Sequence, residues 1–269
     1  SSQAQWRVLL AIGAVPTIFI LYATVNQEEN AEFREDQSTT FELLKQPGNW
    51  KKLIGTGGTW LIYDVVYYGT SLFSPTIIVK IFGKHETIPK QAWQNIVVSA
   101  AGIPAIMLGI YCQQRFGTKS VQIAGFVFIG VVFMLLGVLW KPLDNSPYSV
   151  FGIYILLLFS LNWGPNITTF ILPAEVYQPK VRSTMNGASA ALGKLGAVIG
   201  TFMYEPIAEE FGIPVLMIVA GTISLIGAVL THFTIRHDSD ATRLCYPRDV
   251  LYQPASVNDP EEEKEGNEF

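Results

Sequence analysis

An acidic residue close to the middle of a run long and apolar enough to cross a bilayer limits what this chain can become more than any other feature. The run is Leu53 to Phe73, LIGTGGTWLIYDVVYYGTSLF, and the acid is Asp64. Trp60, Asp64 and Tyr68 follow one another at i, i+4 and i+8, so a helix stacks all three on one face. The opposite face offers Leu61, Ile62, Val65 and Val66 to lipid or to neighbouring helices. A carboxylate at mid-membrane depth costs roughly 2.5–3.5 kcal/mol on insertion scales, so it must face a wet cavity or a partner. That face is where the chemistry is expected.

The rest of the chain agrees with a membrane setting. Of its 269 residues 49% are hydrophobic and only 15% charged, against about 25% charged in soluble domains. The mean hydropathy is +0.31. The apolar residues fall into blocks of about twenty, the length a helix needs to span the hydrocarbon. Seven such spans are expected: Trp6–Val25, Leu53–Phe73, Trp93–Tyr111, Val121–Trp140, Tyr148–Leu172, Thr184–Tyr204 and Ile213–Ile235. Pro75 should kink the second span, which can continue to Phe82. The fold class is therefore an all-α membrane protein. Residues 1–25 form one helix, 26–52 a polar linker, 53–236 a six-helix bundle and 237–269 an acidic, solvated tail. Phe41, Leu43 and Leu44 give the linker a short interfacial helix.

Lys and Arg set the orientation. One side of the membrane collects Arg34, Lys45, Lys51, Lys52, Arg115, Lys119, Lys180, Arg182, Arg236 and Arg243, the other only Lys80, Lys84, Lys90 and Lys141. The richer side is expected to be cytosolic, with the linker and the tail. The chain starts Ser-Ser-Gln without Met, and one span precedes the linker while six follow. It reads as a piece of a 6+6 protein, starting just before the sixth helix.

Several function classes are disfavoured. The net charge is −4 and no basic patch suggests nucleic acid. Cys112 and Cys245 read as free thiols, and His85, His232 and His237 lack metal-ligand spacing. No cofactor, metal or enzymatic activity is expected. The Gly55–Gly58 run, GTGG, lacks the Lys-Ser that completes a phosphate loop and reads as a helix-packing feature.

Other polar residues inside the spans matter more. Lys194 lies about ten residues from either end of its span, too deep to snorkel, so it should meet an anion, either Asp64 or a bound substrate. That span is rich in Gly, Ala and Ser and should pack tightly inside a bundle. Gly164-Pro165-Asn166 breaks the fifth span, as helices break where a site lies, and the Asn166 amide either donates to an oxyanion or caps the kink. Trp60 faces the cavity or anchors at the interface, and Tyr68 joins the site or simply packs. Thr168 and Thr169 should bond to carbonyls one turn back. Glu175 and Arg182 either form a gate pair or anchor their loop.

These residues carry a resemblance. WRVLLAIGAVP, GTGGTWLIYDVVYYG and NWGPNITTFILPAEVYQPKVRSTMNGASAALGKLGA are similar to the sixth, seventh, and tenth-to-eleventh helices of major facilitator superfamily transporters, closest to the fungal and plant phosphate:proton symporters. The resemblance covers about Trp6 to Arg236, the C-terminal half of such a transporter with the preceding helix. It implies proton-coupled phosphate uptake by alternating access, with the N-terminal half of the same transporter as partner. It further implies a phosphate pocket of Trp60, Asp64, Tyr68, Asn166 and Lys194, with Asp64 carrying the proton. Two motifs depart from the family. The loop Gln114-Arg115-Phe116-Gly117-Thr118-Lys119 lacks the usual acid and one base, and Thr24 to Glu28 lacks the usual Pro-Glu-x-Pro-Arg. These departures fit a branch carrying organic phosphates such as glycerophosphodiesters. Two rival functions fit the same sequence: a sugar carrier, and a truncated protein or sensor that does not transport.

Overall fold

The structure is a computed structural model that describes residues 2–25, 47–82, 88–143 and 145–235. The expected interfacial helix in the linker, His85, His237, Cys245 and the acidic tail lie outside the described residues. The chain divides into two compact units, 1–44 and 45–269. The first contains α1 (Ser2–Val25), which exposes Ile18, Phe19, Ile20, Leu21 and Tyr22 as a lipid-compatible surface.

In the second unit the described residues are helical throughout: α2 (Pro47–Phe82), α3 (Ile88–Ala100), α4 (Gly102–Phe116), α5 (Thr118–Leu139), α6 (Pro147–Asn162), α7 (Pro165–Val176), α8 (Pro179–Glu210) and α9 (Ile213–Thr234). With α3 joined to α4 and α6 to α7, these make six rods, matching the six blocks of apolar sequence. Helix α2 starts at Pro47, six residues before the apolar run, and continues through Pro75 without a break. At 1.5 Å per residue it is about 54 Å long and must project beyond the hydrocarbon. Among the described residues, four stretches are long and apolar enough to cross a membrane: Trp93–Phe116, Thr118–Leu139, Pro147–Val176 and Ile213–Thr234. Helices α2 and α8 are longer but diluted by Gly, Ser, Thr, Asp64 and Lys194. Their polar content is what a helix lining an aqueous cavity requires, and it is why they are less apolar than their neighbours.

The core lies among α2, α5, α6, α8 and α9, with Tyr63, Phe126, Phe133, Tyr154, Leu157, Tyr204 and Met217 all buried. Lipid is as apolar as these side chains, so shape fit and buried hydrogen bonds hold such a bundle. The tightest seam joins α2 to α8. A Cβ added at Gly196 would fall on the Leu61 carbonyl oxygen, and one at Gly200 on that of Val65. Hydroxyl bonds reinforce the seam: Tyr204 Oη donates to Val66 O at 3.1 Å and lies 3.0 Å from Thr70 Oγ1. A Gly196→Ala protein is therefore expected to lose about 1–3 kcal/mol of stability, since backbone cannot move aside as a side chain can. Gly187 on the same helix has open space around its Cα, so Gly187→Ala should be neutral or slightly stabilising. Paired thermal unfolding in detergent checks both.

The break between α6 and α7 is built on Gly164, whose φ of +88° is costly for any residue with a Cβ. A Cβ there would also lie 2.8 Å from Gly125 Cα on α5. Gly164 O accepts from the amides of Ile167 and Thr168, which restarts the helix. Thr168 and Thr169 donate to Gly164 O and Pro165 O, one turn back as expected. Tyr63 on α2 donates to Leu161 O at 2.9 Å, so a side chain from a neighbour satisfies a carbonyl the break leaves free.

Candidate transport site

Asp64 lies on the inner face of α2 with its side chain only 4% exposed. The Lys194 ammonium on α8 stands 3.8 Å from Asp64 Oδ2, and the Lys194 side chain is 65% exposed. The two meet because Gly196 and Gly200 let α8 lie directly on the α2 backbone. Lys194 Nζ donates to Tyr68 Oη at 2.8 Å and sits 4.7 Å from the centre of that ring. The tyrosine, one turn beyond Asp64, thus holds the ammonium beside the carboxylate without a short ion-pair bond. Asp64 Oδ2 is buried and has no hydrogen-bond partner, so a proton or a donor group of a substrate has an acceptor waiting. On its other side stands Trp60, whose indole interacts with the Asp64 side chain. A Cβ at Gly193 would come within 2.8 Å of Trp60 Nε1, so the indole fits because position 193 has no side chain.

Helix α7 brings the last expected residue. It runs antiparallel to α2: Lys52 Nζ donates to Val176 O at 2.9 Å, and the Phe170 ring meets Trp60 edge-on with centroids 4.6 Å apart. Asn166 precedes Phe170 by one turn on the same face, which sets it at the level of Tyr63 and Asp64. Among the described residues no hydrogen bond joins it to Asp64 or Lys194. Its Nδ2 donates to Asn162 Oδ1 at 3.2 Å across the break. Trp60, Asp64, Tyr68 and Lys194 are thus in direct association, and Asn166 stands nearby at the N-terminus of a half-helix. Such a terminus presents partial positive charge.

Residues 23–239 match the family described as sugar (and other) transporter. The chain belongs to that family, within the major facilitator superfamily. It is 38% identical over 232 residues to an inorganic phosphate transporter of Toxoplasma gondii, covering 86% of this chain and 41% of the relative. With a repressible high-affinity phosphate permease of Neurospora crassa it shares 35% over 258 residues, 76% of this chain and 45% of the relative. A glycerophosphoinositol transporter of Saccharomyces cerevisiae is 27% identical over 242 residues, 89% of this chain and 46% of the relative. The chain spans less than half the length of each of these relatives.

In this member of the sugar (and other) transporter family, Glu175 and Arg182 each bond to a separate group. Glu175 Oε1 accepts from Thr118 Oγ1 at 2.7 Å, and Thr118 accepts from Gln113 Nε2 at 3.0 Å. Arg182 Nε donates to Tyr177 O at 3.3 Å. Among the described residues, then, Glu175 and Arg182 do not pair with each other. Thr118 occupies the position where the resemblance leads one to expect a base, and its hydroxyl bonds Glu175 instead. Lys52, Arg182 and Lys119, which reaches His232 O at 3.3 Å, each cap carbonyls at or next to a helix C-terminus, complementing its dipole. Thr118→Ala should cost about 1 kcal/mol of stability, the net worth of an ordinary hydrogen bond, read as a small drop in Tm.

Several residues of this site region were not expected from sequence. A buried hydroxyl cluster joins the α7–α8 corner to α2: Thr56 Oγ1 lies 3.0 Å from Tyr177 Oη and 2.9 Å from Ser189 Oγ. Gln122, fully buried on α5, donates to Thr59 and Thr231 at 3.1 and 3.2 Å, tying α2 to α9. A glutamine inside an otherwise apolar span was a visible signal. The pairing of Thr56 with Tyr177 was not, because the two are 121 positions apart.

Proposed function

We propose that the chain is the substrate-binding half of a proton-coupled phosphate transporter that works by alternating access. The observation that carries this reading is the Asp64–Lys194 pair, 3.8 Å apart, with Tyr68 bridging to the ammonium. An acid and a base stranded at this depth are expensive, and a site for an anion that travels with a proton uses both. Phosphate sits between Lys194 and the N-terminus of α7, with Tyr68, Asn166 and the Trp60 indole as donors. Asp64 is protonated while the anion is bound, because two negative charges so close in a dry pocket repel. Release of the proton with the phosphate lets Asp64 pair again with Lys194 and resets the carrier. The names of the relatives support phosphate as the cargo. The exposed Lys194 side chain supports a second six-helix half as partner, closing the cavity from the other side. The reading also places the protein in the plasma membrane with its Lys52 end and C-terminus facing the cytosol, in keeping with the excess of Lys and Arg there.

A second reading, transport of a phosphate monoester or diester, is favoured by the match to a glycerophosphoinositol transporter. Uptake of ³²P-labelled phosphate into vesicles holding the chain together with the second six-helix half, with glucose, glycerophosphoinositol or unlabelled phosphate as competitor, separates the cases. Competition by unlabelled phosphate alone is the expected result. Stronger competition by the ester assigns the organic cargo, and stronger competition by glucose refutes an anion carrier.

A further inference from the structure

Asn162, the last residue of α6, is joined to both sides of the helix break. Its Nδ2 donates to Leu158 O at 2.8 Å, one turn back. Its Oδ1 accepts from Asn166 Nδ2 at 3.2 Å, one turn on. The side chain rests on α4 where that helix has no Cβ: one at Gly102 would lie 3.2 Å from Asn162 Cγ. These contacts have a direction. A backbone carbonyl only accepts, so Leu158 O fixes which end of the Asn162 amide is nitrogen. Asn162 Oδ1 must then face Asn166, and it in turn only accepts. The nitrogen of Asn166 is therefore forced toward Asn162. Turning the Asn166 amide over would set two oxygens together unless Asn162 turned as well, and that would press Asn162 Oδ1 against the Leu158 carbonyl.

We propose that Asn162 is a positioning residue that locks the amide of Asn166, so that one N–H of Asn166 is spoken for and the other is held ready as a donor to an oxyanion. The inference rests on the phosphate reading above and adds to it a residue that does not touch the substrate. The orientation of a side-chain amide decides whether its polar end attracts an anion or repels it. An Asn166 free to turn would offer its carbonyl part of the time. The α6–α7 break thus positions an amide as well as a helix end, and the lock is anchored to α6, on the far side of the break from the amide it sets.

The test is kinetic, on the chain together with the second six-helix half in vesicles, and spectroscopic, on the chain in detergent. Asn162→Ala is expected to raise the KM for phosphate about tenfold, the scale of one hydrogen bond, with kcat nearly unchanged. Asn162→Asp discriminates further. As a neutral acid it still donates to Leu158 O and accepts from Asn166, whereas as a carboxylate it cannot donate and adds negative charge. Its KM should approach the parent value at low pH and rise well above that of Asn162→Ala at high pH. An Asn162→Ala protein with parental KM overturns the proposal. So does a pH-independent loss of kcat in both variants that tracks a lowered Tm, since that marks a purely structural role. If vesicles holding the parent chain together with its second half carry no phosphate, the transport reading has failed separately. The side-chain amide signal of Asn166 in ¹⁵N-asparagine-labelled protein then decides the lock. A large difference in exchange rate between its two hydrogens that is lost in Asn162→Ala supports it; matching exchange rates in the parent overturn it.

Discussion

Phosphate accumulation by an Asp64→Asn protein, assayed with its second half, should no longer respond to an inward proton gradient and should fall about a hundredfold, the effect of removing an interaction on which the whole proposed cycle turns. Asparagine has nearly the size of a protonated aspartate and can fill the same hydrogen bonds. The variant should therefore still bind phosphate and still exchange internal for external phosphate. What it cannot do is shed a proton, gain a charge and pair with Lys194 across 3.8 Å. Net uptake needs the empty carrier to return, and in the proposed cycle that return depends on the pair. The sign with pH follows. Parental uptake should rise as external pH falls, because loading in the proposed cycle requires the neutral acid; uptake by Asp64→Asn should be low and flat across the same range. Counterflow measured beside net uptake separates the two halves of the cycle. Retention of a pH-dependent net uptake in Asp64→Asn would remove Asp64 from proton coupling and place that role elsewhere.

How far the sequence carried this reading depended on the range of the interaction. Helical spacing put Trp60, Asp64 and Tyr68 on one face, and the structure keeps them there because i+4 neighbours need no tertiary information. Depth in the span made Lys194 seek an anion, and the structure supplies Asp64. Gly-Pro marked the break at Gly164, since glycine tolerates the positive φ and proline at the first helical position restarts the helix. The start of α2 was missed by six residues: Asn49, Lys51 and Lys52 look like linker by polarity, yet they continue a helix that projects beyond the apolar run. The roles of Glu175 and Arg182 stayed open for a different reason. Whether an acid and a base seven positions apart pair or anchor depends on what each neighbouring helix offers, and here Thr118 and a backbone carbonyl engage them. The same holds for Tyr63, whose hydroxyl caps a carbonyl 98 positions away. Local rules found the groups that carry charge; only the packed structure shows what orients them.

Replacing Lys194 by methionine tests the other half of the pair, and the outcome is expected to differ in kind from that of Asp64→Asn. Methionine keeps the length and packing of the stem and removes the charge. The KM for phosphate should rise about ten- to hundredfold, the worth of a charge-assisted hydrogen bond. Lys194→Arg should not restore it fully, because a planar fork cannot occupy the place of a compact ammonium 2.8 Å from Tyr68 Oη. The loss goes beyond affinity. With no counter-ion beside it, a carboxylate at 4% exposure is an uncompensated buried charge. Lys194→Met should therefore also slow net uptake relative to exchange, as Asp64→Asn does. Combining Asp64→Asn with Lys194→Met removes that buried charge, so the defect in net uptake should be smaller than the sum of the two single defects. Defects in KM should come mainly from Lys194. A double-mutant cycle on net uptake and on KM reads the two effects separately. Additivity in both would mean that the acid and the base act on different steps through different partners. Strong coupling in net uptake with weak coupling in KM is what a carrier resetting through an internal ion pair requires.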